Sequence, residues 1–373
     1  MLTRREAIAV SLGCLVGGPT ALAAATRSRS AAGRTLFLGG TGFLGPHMVQ
    51  RALDDGWDVT LFTRGRTGLD LFPGVTRLVG DRATDLTALQ GKRWDVVIDN
   101  SGYVPAHVRA SAQLLAGSVG HYVFTSTIDA YRDFHQVGIT EDYPLAVLPE
   151  GALHNPSRYY GALKALCEAE VRSAFPGRST IIRPGWVVGP RDNGNFFTYW
   201  VMRVRRGGEF LAPGTERDPI QMVDARDLAA FVMKAASEKI DGPFTCVGKP
   251  VTWGELIRTL QEIAGVNARP QWVDADFLLK QGLRPYFDLP MWWPPRNDYA
   301  VPSMPSGLGG GVGAFTISGA RAESRGMSYR AIRESARDVL TWYERDVGRW
   351  PEKGGPGLAA ERERDVLAAW AAR

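Results

Sequence analysis

Short apolar runs alternate with helical patterns through the first half of the chain. Five runs have the length and composition of buried strands, and they lie at 36–38, 57–63, 75–81, 94–99 and 121–125. Apolar residues recur at helical spacing between them, for instance over 108–115. Strands that alternate with helices over short connections predict an α/β fold built on a doubly wound parallel sheet.

The first strand runs into a glycine-rich turn, since residues 35–45 read Thr-Leu-Phe-Leu-Gly-Gly-Thr-Gly-Phe-Leu-Gly. Gly39, Gly42 and Gly45 let a backbone approach a pyrophosphate closely, and the helix that follows points its positive end at the anion. This context predicts a dinucleotide site in a Rossmann-type sheet. The alternative is a turn whose glycines serve packing only.

The end of the second strand bears on the choice of dinucleotide. An acidic residue there would hydrogen-bond the ribose of NAD, but this chain has Arg64 and Arg66. An arginine can bind a 2′-phosphate through two hydrogen bonds. We therefore predict Arg64 as a ligand of NADP in preference to NAD, with solvated loop charges as the alternative.

Two further strand ends supply candidate cofactor ligands. Asp81 and Arg82 follow the third strand, and a carboxylate at Asp81 can accept from the adenine amino group. Asn100, Ser101 and Gly102 form a turn of small residues after the fourth strand. Ligands in such sheets bind beyond the carboxyl ends of the strands, where all of these residues lie.

A tyrosine and a lysine four residues apart follow the fifth strand. On a helix, Tyr160 and Lys164 share a face. A lysine cation and a positively charged nicotinamide would both favour the phenolate, which brings the tyrosine toward use as a base at neutral pH. A hydroxyl from 125–127 would orient the substrate oxygen. Alone, the pair is common by chance, and its weight comes from its position after the dinucleotide turn.

Together these motifs resemble the short-chain dehydrogenase/reductase superfamily, and within it the extended branch of nucleotide-sugar epimerases and dehydratases. The resemblance covers about 34–346. The matching segments are Gly39-Gly40-Thr41-Gly42-Phe43-Leu44-Gly45, Asp81, Tyr160-Gly161-Ala162-Leu163-Lys164 with Glu168, Arg183-Pro184-Gly185-Trp186-Val187-Val188-Gly189-Pro190, and Val223-Asp224-Ala225-Arg226-Asp227-Leu228-Ala229. Residues 62–65 also resemble a subgroup of atypical members, some of which bind RNA or only sense the cofactor.

The resemblance implies a role for each matched residue. Thr127 would be the catalytic hydroxyl with Ser126 beside it, Tyr160 the acid or base, and Lys164 its partner and a ribose ligand. The cofactor would also contact Thr41, Phe43, Leu44 and Pro184. In this family the nicotinamide takes a hydride from a sugar carbon, and the transient ketone is epimerised, dehydrated or reduced. Asp129 stands where the family has a small or apolar residue, so a carboxylate is expected to face the substrate.

The second half of the chain is irregular and rich in aromatic residues. Polar groups among rings suit a sugar, so Asn195 is a candidate substrate ligand, and Arg217 matches an arginine that meets a phosphate in the resembling enzymes. Residues 285–295 hold four prolines and two adjacent tryptophans and do not form a helix. In order of preference, they indicate an aromatic lid, a homodimer contact or a membrane-surface patch.

The first 25 residues are predicted to be an export signal. Thr3-Arg4-Arg5 precedes a short apolar segment and a small-residue cleavage site near 23–25. This pattern resembles a twin-arginine signal, which predicts contact with that export machinery and a periplasmic or extracellular protein. The alternatives are an ordinary secretory signal, an anchored N-terminus, or a misread segment of a cytosolic enzyme.

Composition adds limits to this interpretation. The formal charge of +5 is spread along the chain without a basic block, so no nucleic-acid partner is predicted. Two cysteines remain after cleavage, too few for a disulfide framework, and no metal site is predicted. The predicted organisation is a linker at 26–33, a dinucleotide-binding domain at 34–190 completed by parts of 215–250, a mainly substrate-binding region at 191–346, and a helical tail at 347–373.

The combined prediction is an NAD(P)-dependent epimerase or dehydratase that acts on a sugar or related alcohol. Outside the cytosol there is no useful pool of NADP, so the cofactor is expected to be loaded before export, held tightly and returned to its starting state in each cycle. The alternatives are an NADP-dependent reductase or dehydrogenase, and a non-catalytic dinucleotide-binding protein.

Overall fold

Seven parallel strands form the central sheet of the protein. The computed structural model describes residues 32–152, 156–192, 194–298, 310–348 and 357–373, with backbone alone at 156 and 157. The predicted export signal and most of the linker after it lie outside the described residues. The strands are β1 (Arg34–Leu38), β2 (Asp58–Thr63), β3 (Thr76–Val79), β4 (Trp94–Asp99), β5 (Val119–Thr125), β6 (Ser179–Pro184), β7 (Trp186–Val188), β8 (Gly208–Pro213), β9 (Pro219–Ile220), β10 (Met222–Asp224), β11 (Gly242–Cys246), β12 (Val251–Thr252) and β13 (Ala268–Val273).

The described residues form ten α-helices, some of which cover the two faces of this sheet. They are α1 (Leu44–Asp54), α2 (Pro105–Leu115), α3 (Pro156–Ala174), α4 (Phe196–Arg205), α5 (Ala225–Glu238), α6 (Trp253–Ala264), α7 (Ala275–Lys280), α8 (Ala320–Ser324), α9 (Ile332–Trp342) and α10 (Ala360–Ala371). On one face, α1 and α5 contribute to one apolar core, and on the other α2 and α3 contribute to a second. The prediction of a doubly wound parallel sheet is therefore confirmed.

The strand order places a crevice where the cofactor motifs lie. The sheet runs β11-β6-β5-β4-β1-β2-β3, and every pairing in it is parallel. The order reverses between β1 and β4, so the connections that leave these strands diverge to opposite faces and open a gap at their carboxyl ends. The glycine turn after β1 and the small-residue turn after β4 border this gap.

A third apolar core lies in the C-terminal half, among α4, α6, α9 and the aromatic segment at 285–295. That segment contains no helix, as predicted. Helix α10 docks on this core through a buried ion pair between Glu363 and Arg203. Strand β11 pairs with β6 and completes the sheet, while the domain boundary at residue 190 stays a prediction. Within the described ranges, none of the helices has both the length and the apolar character that a bilayer crossing requires.

Candidate active site

The turn between β1 and α1 needs glycine for two separate reasons. Gly39 and Gly40 have φ of +106° and +101°, which other residues rarely adopt. At Gly45, a Cβ would lie 2.4 Å from the carbonyl carbon of Gly40, so only glycine lets the helix start so close to the turn. Phe43 is the N-cap of α1 and makes no side-chain hydrogen bond to it. The N–H groups of the first helical turn therefore face an anion site without a side-chain cap.

A cavity of about 820 Å³ opens above this turn. Most of the predicted cofactor ligands line it, namely Gly39, Thr41, Gly42, Phe43, Leu44, Gly45, Arg64, Asp81, Arg82, Asn100 and Ser101. At Gly42 a Cβ would meet no atom within 4 Å, so the turn is open on its cavity side. The fold thus brings together residues from the ends of four strands in one cleft.

Arg64 and Arg66 form the basic border of this cavity. Both side chains are exposed, and neither forms an ion pair with any described residue. At the neighbouring strand end, Asp81 accepts a hydrogen bond from the N–H of Ala83 at 2.9 Å. The two guanidinium groups are therefore available for an anionic part of a ligand.

Arg82 lines the same cavity, but buried side chains of the protein bind its guanidinium group. Its guanidinium forms an ion pair with the buried carboxylate of Asp99 and donates to the Ser111 hydroxyl at 2.8 Å. Tyr122 donates to the same carboxylate at 2.7 Å. Burial alone would raise the pKa of Asp99, but the Arg82 charge and the hydrogen bonds from Arg82, Tyr122 and Ser101 together outweigh burial and hold the pKa below its usual value. Arg82 thus has less freedom to turn toward a ligand than the sequence suggested.

Lys164 hydrogen-bonds two backbone carbonyl groups, and no hydrogen bond joins it to Tyr160 among the described residues. Its Nζ donates to the carbonyl oxygens of Gly102 at 2.8 Å and Thr125 at 2.6 Å, and it lies 4.2 Å from the centroid of the Phe124 ring. Burial lowers the pKa of Lys164 to about 8. The lysine therefore ties together the turns after β4 and β5, and Gly102 takes part through its backbone and does not line the cavity.

Tyr160 lies beside two other polar side chains, Thr127 and Asp129. Against the larger effect of burial, the Thr127 hydroxyl lowers the pKa of both the Tyr160 phenol and the Asp129 carboxyl group, and it accepts a hydrogen bond from the N–H of Asp129 at 3.1 Å. A Cβ at Gly161 would lie 1.9 Å from the carbonyl oxygen of Asp129, so glycine there lets α3 approach the turn at Ile128–Ala130. Burial, and then the charge of Asp129, raise the pKa of Tyr160 well above its usual value. The phenol is therefore protonated at neutral pH in the protein without a cofactor, while the phenolate expected beside a lysine and a positively charged nicotinamide stays a prediction.

A second cavity of about 590 Å³ begins at these three side chains. Thr127, Asp129 and Tyr160 line it. Phe43 and Tyr103 line both this cavity and the cofactor cleft, so the two cavities adjoin at these residues. A ligand in each would meet beside Tyr160.

The aromatic segment at 285–295 covers part of the second cavity. Tyr286 and Trp293 line the cavity together with Trp186 and Phe196. Of the three interpretations of this segment, its place at the cavity favours the lid. The neighbouring Trp292 is buried in the third core instead.

Besides Gly102 and Lys164, four predicted ligands lie away from the two cavity linings. Ser126 points its hydroxyl at Glu168, to which it donates at 2.5 Å. Pro184 is buried at the end of β6. Asn195 is the N-cap of α4, with φ of +53°, and Arg217 is exposed, in a turn closed by the Thr215 hydroxyl, which accepts from its N–H.

Three residues of the site were missed by the sequence analysis. Asp192 and Tyr103 line the second cavity, which we call the substrate-side cavity, and Asp99 forms the ion pair that fixes Arg82. The sequence could have indicated the role of Asp99, because a carboxylate at the end of a buried strand needs a cationic partner. Asp192 and Tyr103 lie in irregular segments, where no periodicity marks the side that faces the site.

Replacement of Asp129 by asparagine is expected to stabilise the protein near pH 8 by about 1–2 kcal/mol. Burial raises the pKa of Asp129 from 3.8 to about 6. The folded state therefore binds this proton more tightly than the unfolded state, and the unfolding free energy falls as pH rises between these two values. The gain should shrink as pH falls and vanish near pH 3, below both values, where the carboxyl is protonated in both states. Urea unfolding at the two pH values measures it.

Asp365→Asn is the matched control for that measurement, because Asp365 is exposed on α10 and far from the site in sequence. It should change stability little at either pH. An equal gain for Asp129→Asn at both pH values would show that charge burial is not the cause.

Comparison with protein families identifies the first two thirds of the described chain. The model of the NAD dependent epimerase/dehydratase family matches residues 35–244. A curated relative, the chloroplast stem-loop binding protein of 41 kDa b from Arabidopsis thaliana, is 26% identical over 235 residues. The match covers 57% of this chain and 57% of the relative, so the chain spans little more than half the relative's length.

Solved structures similar to this chain include three enzymes with low sequence identity. WbmG of Bordetella bronchiseptica, in complex with NAD, is 16% identical with a TM-score of 0.61, over 86% of this chain and 97% of that one. UDP-glucose 4-epimerase of Thermotoga maritima, with UDP-glucose, is 16% identical with a TM-score of 0.60, over 84% and 99%. UDP-glucuronic acid 4-epimerase of Bacillus cereus, with NAD, is 14% identical with a TM-score of 0.60, over 85% and 98%. At such identity the likeness shows the fold alone.

Proposed function

The chain belongs to the NAD dependent epimerase/dehydratase family, and from this premise we propose that it is an enzyme acting on a secondary alcohol of a sugar-like small molecule. One observation carries the proposal: the cofactor cleft and the second cavity adjoin at Phe43 and Tyr103, beside Tyr160. A dinucleotide in one cavity and an alcohol in the other would meet beside the Tyr160 phenol and the Thr127 hydroxyl.

The cofactor cleft fits a dinucleotide in three respects. The uncapped start of α1 suits a pyrophosphate. The turn is open at Gly42, where a Cβ would fill space that a phosphate could occupy. Arg64 has no carboxylate partner among the described residues and suits a 2′-phosphate, so we propose NADP as the dinucleotide. When bound, the nicotinamide would accept a hydride from the alcohol carbon and return it.

Three side chains would move the proton of the reaction. Tyr160 contacts Thr127, and Thr127 contacts Asp129. As Tyr160 takes the proton of the substrate hydroxyl, it gives its own through the Thr127 hydroxyl to the Asp129 carboxylate, whose pKa lies at about 6. The reverse transfer reprotonates the ketone oxygen. Lys164 positions the backbone around this relay through Gly102 and Thr125.

We further propose that the enzyme is exported and keeps its cofactor. The twin-arginine-like pattern at Thr3-Arg4-Arg5 supports export of a folded, loaded protein. A resident cofactor suits epimerisation or dehydration, which restore it in each cycle, better than net oxidation, which does not. Native mass spectrometry of the full chain from the exported fraction tests this: one bound dinucleotide is expected, and an empty protein there would contradict the proposal.

Replacement of Arg64 by alanine is expected to weaken NADP binding about 10- to 100-fold and to leave NAD binding within about twofold. The reason is that the guanidinium would contact only the 2′-phosphate, which NAD lacks. Calorimetric titration of the emptied protein with each dinucleotide measures the two affinities.

Arg269→Ala controls for the loss of one surface charge, since Arg269 is exposed on β13 and does not line the cleft. It should change neither affinity. If Arg64→Ala weakened the binding of NADP and NAD equally, Arg64 would contact a group that both dinucleotides share. The argument for NADP would then be lost.

A further inference from the structure

Four aromatic rings form a continuous wall of the substrate-side cavity. Tyr286 lies at its centre, with ring centroids 5.4 Å from Trp186, 5.0 Å from Phe196 and 6.0 Å from Trp293. Trp186 and Phe196 also touch each other, at 5.5 Å. The faces of such rings carry partial negative charge and attract cations, most strongly when water is excluded. A wall of this kind therefore has an electrostatic preference in addition to its apolar area.

A buried carboxylate completes the wall. Asp192 lines the cavity with 4% of its surface exposed. Its Oδ1 accepts from the N–H of Gly194 at 3.0 Å, whereas its Oδ2 is buried and has no partner among the described residues. Burial raises the pKa of Asp192 to about 6, against the opposing effect of backbone N–H groups, so the group is mainly ionised at neutral pH. A buried carboxylate with one oxygen that accepts no hydrogen bond is stabilised when a cationic ligand pairs with it.

The backbone beside these groups is held in an unfavourable conformation. Arg191 and Asn195, on either side of Asp192, have φ of +72° and +53°, and Tyr286 has φ of +70°. Side chains other than glycine rarely adopt this region, and such residues concentrate at functional sites. Three of them around one cavity indicate that the chain accepts strain in order to place Asp192 and the ring of Tyr286.

The charges of the cavity do not suit a nucleoside diphosphate. The described lining contains two carboxylates, Asp129 and Asp192, and one cation, Arg158, which is exposed. Arg217, the predicted phosphate ligand, lies outside the lining. Anionic phosphates would be repelled by the carboxylates and would have a single solvent-exposed partner.

We propose that the substrate is an alcohol that carries an ammonium group, bound against the aromatic wall and Asp192 with its hydroxyl toward Tyr160. This proposal rests on the proposed function, since it assigns the substrate of that same site. Amino sugars and amino alcohols belong to this class, and nucleotide-linked sugars do not. Burial, and then the charges of Asp129 and Asp192, raise the pKa of Tyr286 to about 12. The two carboxylates and the aromatic wall line the same cavity.

Binding of choline to the full-length protein tests the proposal. The neutral isostere, in which a carbon atom replaces the quaternary nitrogen, has the same shape and hydroxyl without the charge. Ligand-observed NMR titration is expected to show choline binding about tenfold or more tightly than the isostere. Asp192→Asn keeps the size and the acceptor oxygen of the side chain, and it should remove most of this preference while leaving the isostere unaffected.

Asp365→Asn on α10 is the control and should leave the preference unchanged. Equal binding of choline and the isostere, an unchanged preference in Asp192→Asn with intact thermal unfolding, or tighter binding of UDP-glucose than of choline would each overturn the proposal. Choline binding requires neither turnover nor cofactor. Lost selectivity in a dinucleotide-loaded, active protein would therefore refute this inference alone, whereas a protein that never holds dinucleotide would refute the proposed function.

Discussion

Replacement of Tyr160 by phenylalanine is expected to lower turnover about 100- to 10,000-fold, the range by which a positioned acid or base accelerates a reaction. The substitution removes only the phenolic oxygen. That atom is the first member of the proposed relay through Thr127 to Asp129, so the substrate proton would lose its direct acceptor in that relay. Single-turnover reduction of the bound dinucleotide, followed by nicotinamide fluorescence with an alcohol that the wild type accepts, measures the effect.

Binding should separate from chemistry in this variant. The Tyr160 ring stays beside Tyr103, with centroids 6.4 Å apart in the wild type, and dinucleotide content by native mass spectrometry should not change. Tyr159→Phe is the matched control, because it removes a hydroxyl from the preceding residue, which does not line the second cavity. Unchanged turnover in Tyr160→Phe, or an equal loss in Tyr159→Phe, would exclude Tyr160 as the proton-transfer group.

Local pattern predicted the parts of the site that depend on neighbours in sequence. The glycine turn follows from strand, glycines and helix within 35–54, and its position, the positive φ of Gly39 and the close approach at Gly45 agree with the structure. The doubly wound sheet follows from the same kind of information repeated along the chain. In both cases the deciding interactions are between residues close in sequence.

Side-chain direction at the end of β5 shows where such prediction stops. Thr125, Ser126 and Thr127 are adjacent hydroxyl residues, and successive side chains of extended backbone point to opposite sides. The structure turns Ser126 to Glu168 and Thr127 to Tyr160. The sequence proposed both as ligands, because it does not reveal at which residue the strand ends. Thr127 is selected by a turn that it caps itself, accepting from the N–H of Asp129.

The partners of charged groups were harder to predict from the sequence than side-chain directions, because these partners are distant along the chain. Arg82 is held by Asp99, and the pKa of Tyr160 responds to Asp129 more than to Lys164. Both relations depend on which strands are neighbours and on how deeply the groups are buried. The acidic character of the substrate-side cavity arises in the same way, from Asp129 and Asp192 on separate segments that meet only in the folded chain.

Two alanine substitutions in the glycine turn are expected to separate cofactor binding from folding. Gly42→Ala should weaken dinucleotide binding about 10- to 100-fold, because its Cβ would occupy space that a pyrophosphate needs. Nothing in the protein lies within 4 Å of that Cβ, so the fold should retain its stability or gain up to about 1 kcal/mol. Calorimetric titration with NADP and urea unfolding of the emptied protein measure the two quantities.

Gly45→Ala should give the opposite pattern in stability. Its Cβ would lie 2.4 Å from the carbonyl carbon and 2.5 Å from the Cα of Gly40, and backbone atoms cannot rotate away as a side chain can. Helix α1 would have to shift from the turn, at a cost of about 3 kcal/mol or more in unfolding free energy. Lost stability in Gly42→Ala would mean that its Cβ does not face open space, and unaltered NADP affinity in a stable Gly42→Ala would place the dinucleotide elsewhere than above this turn. The two glycines are three residues apart in the same turn, and their Cβ atoms would point to different surroundings. The pair of variants therefore tests directly whether this turn binds the pyrophosphate.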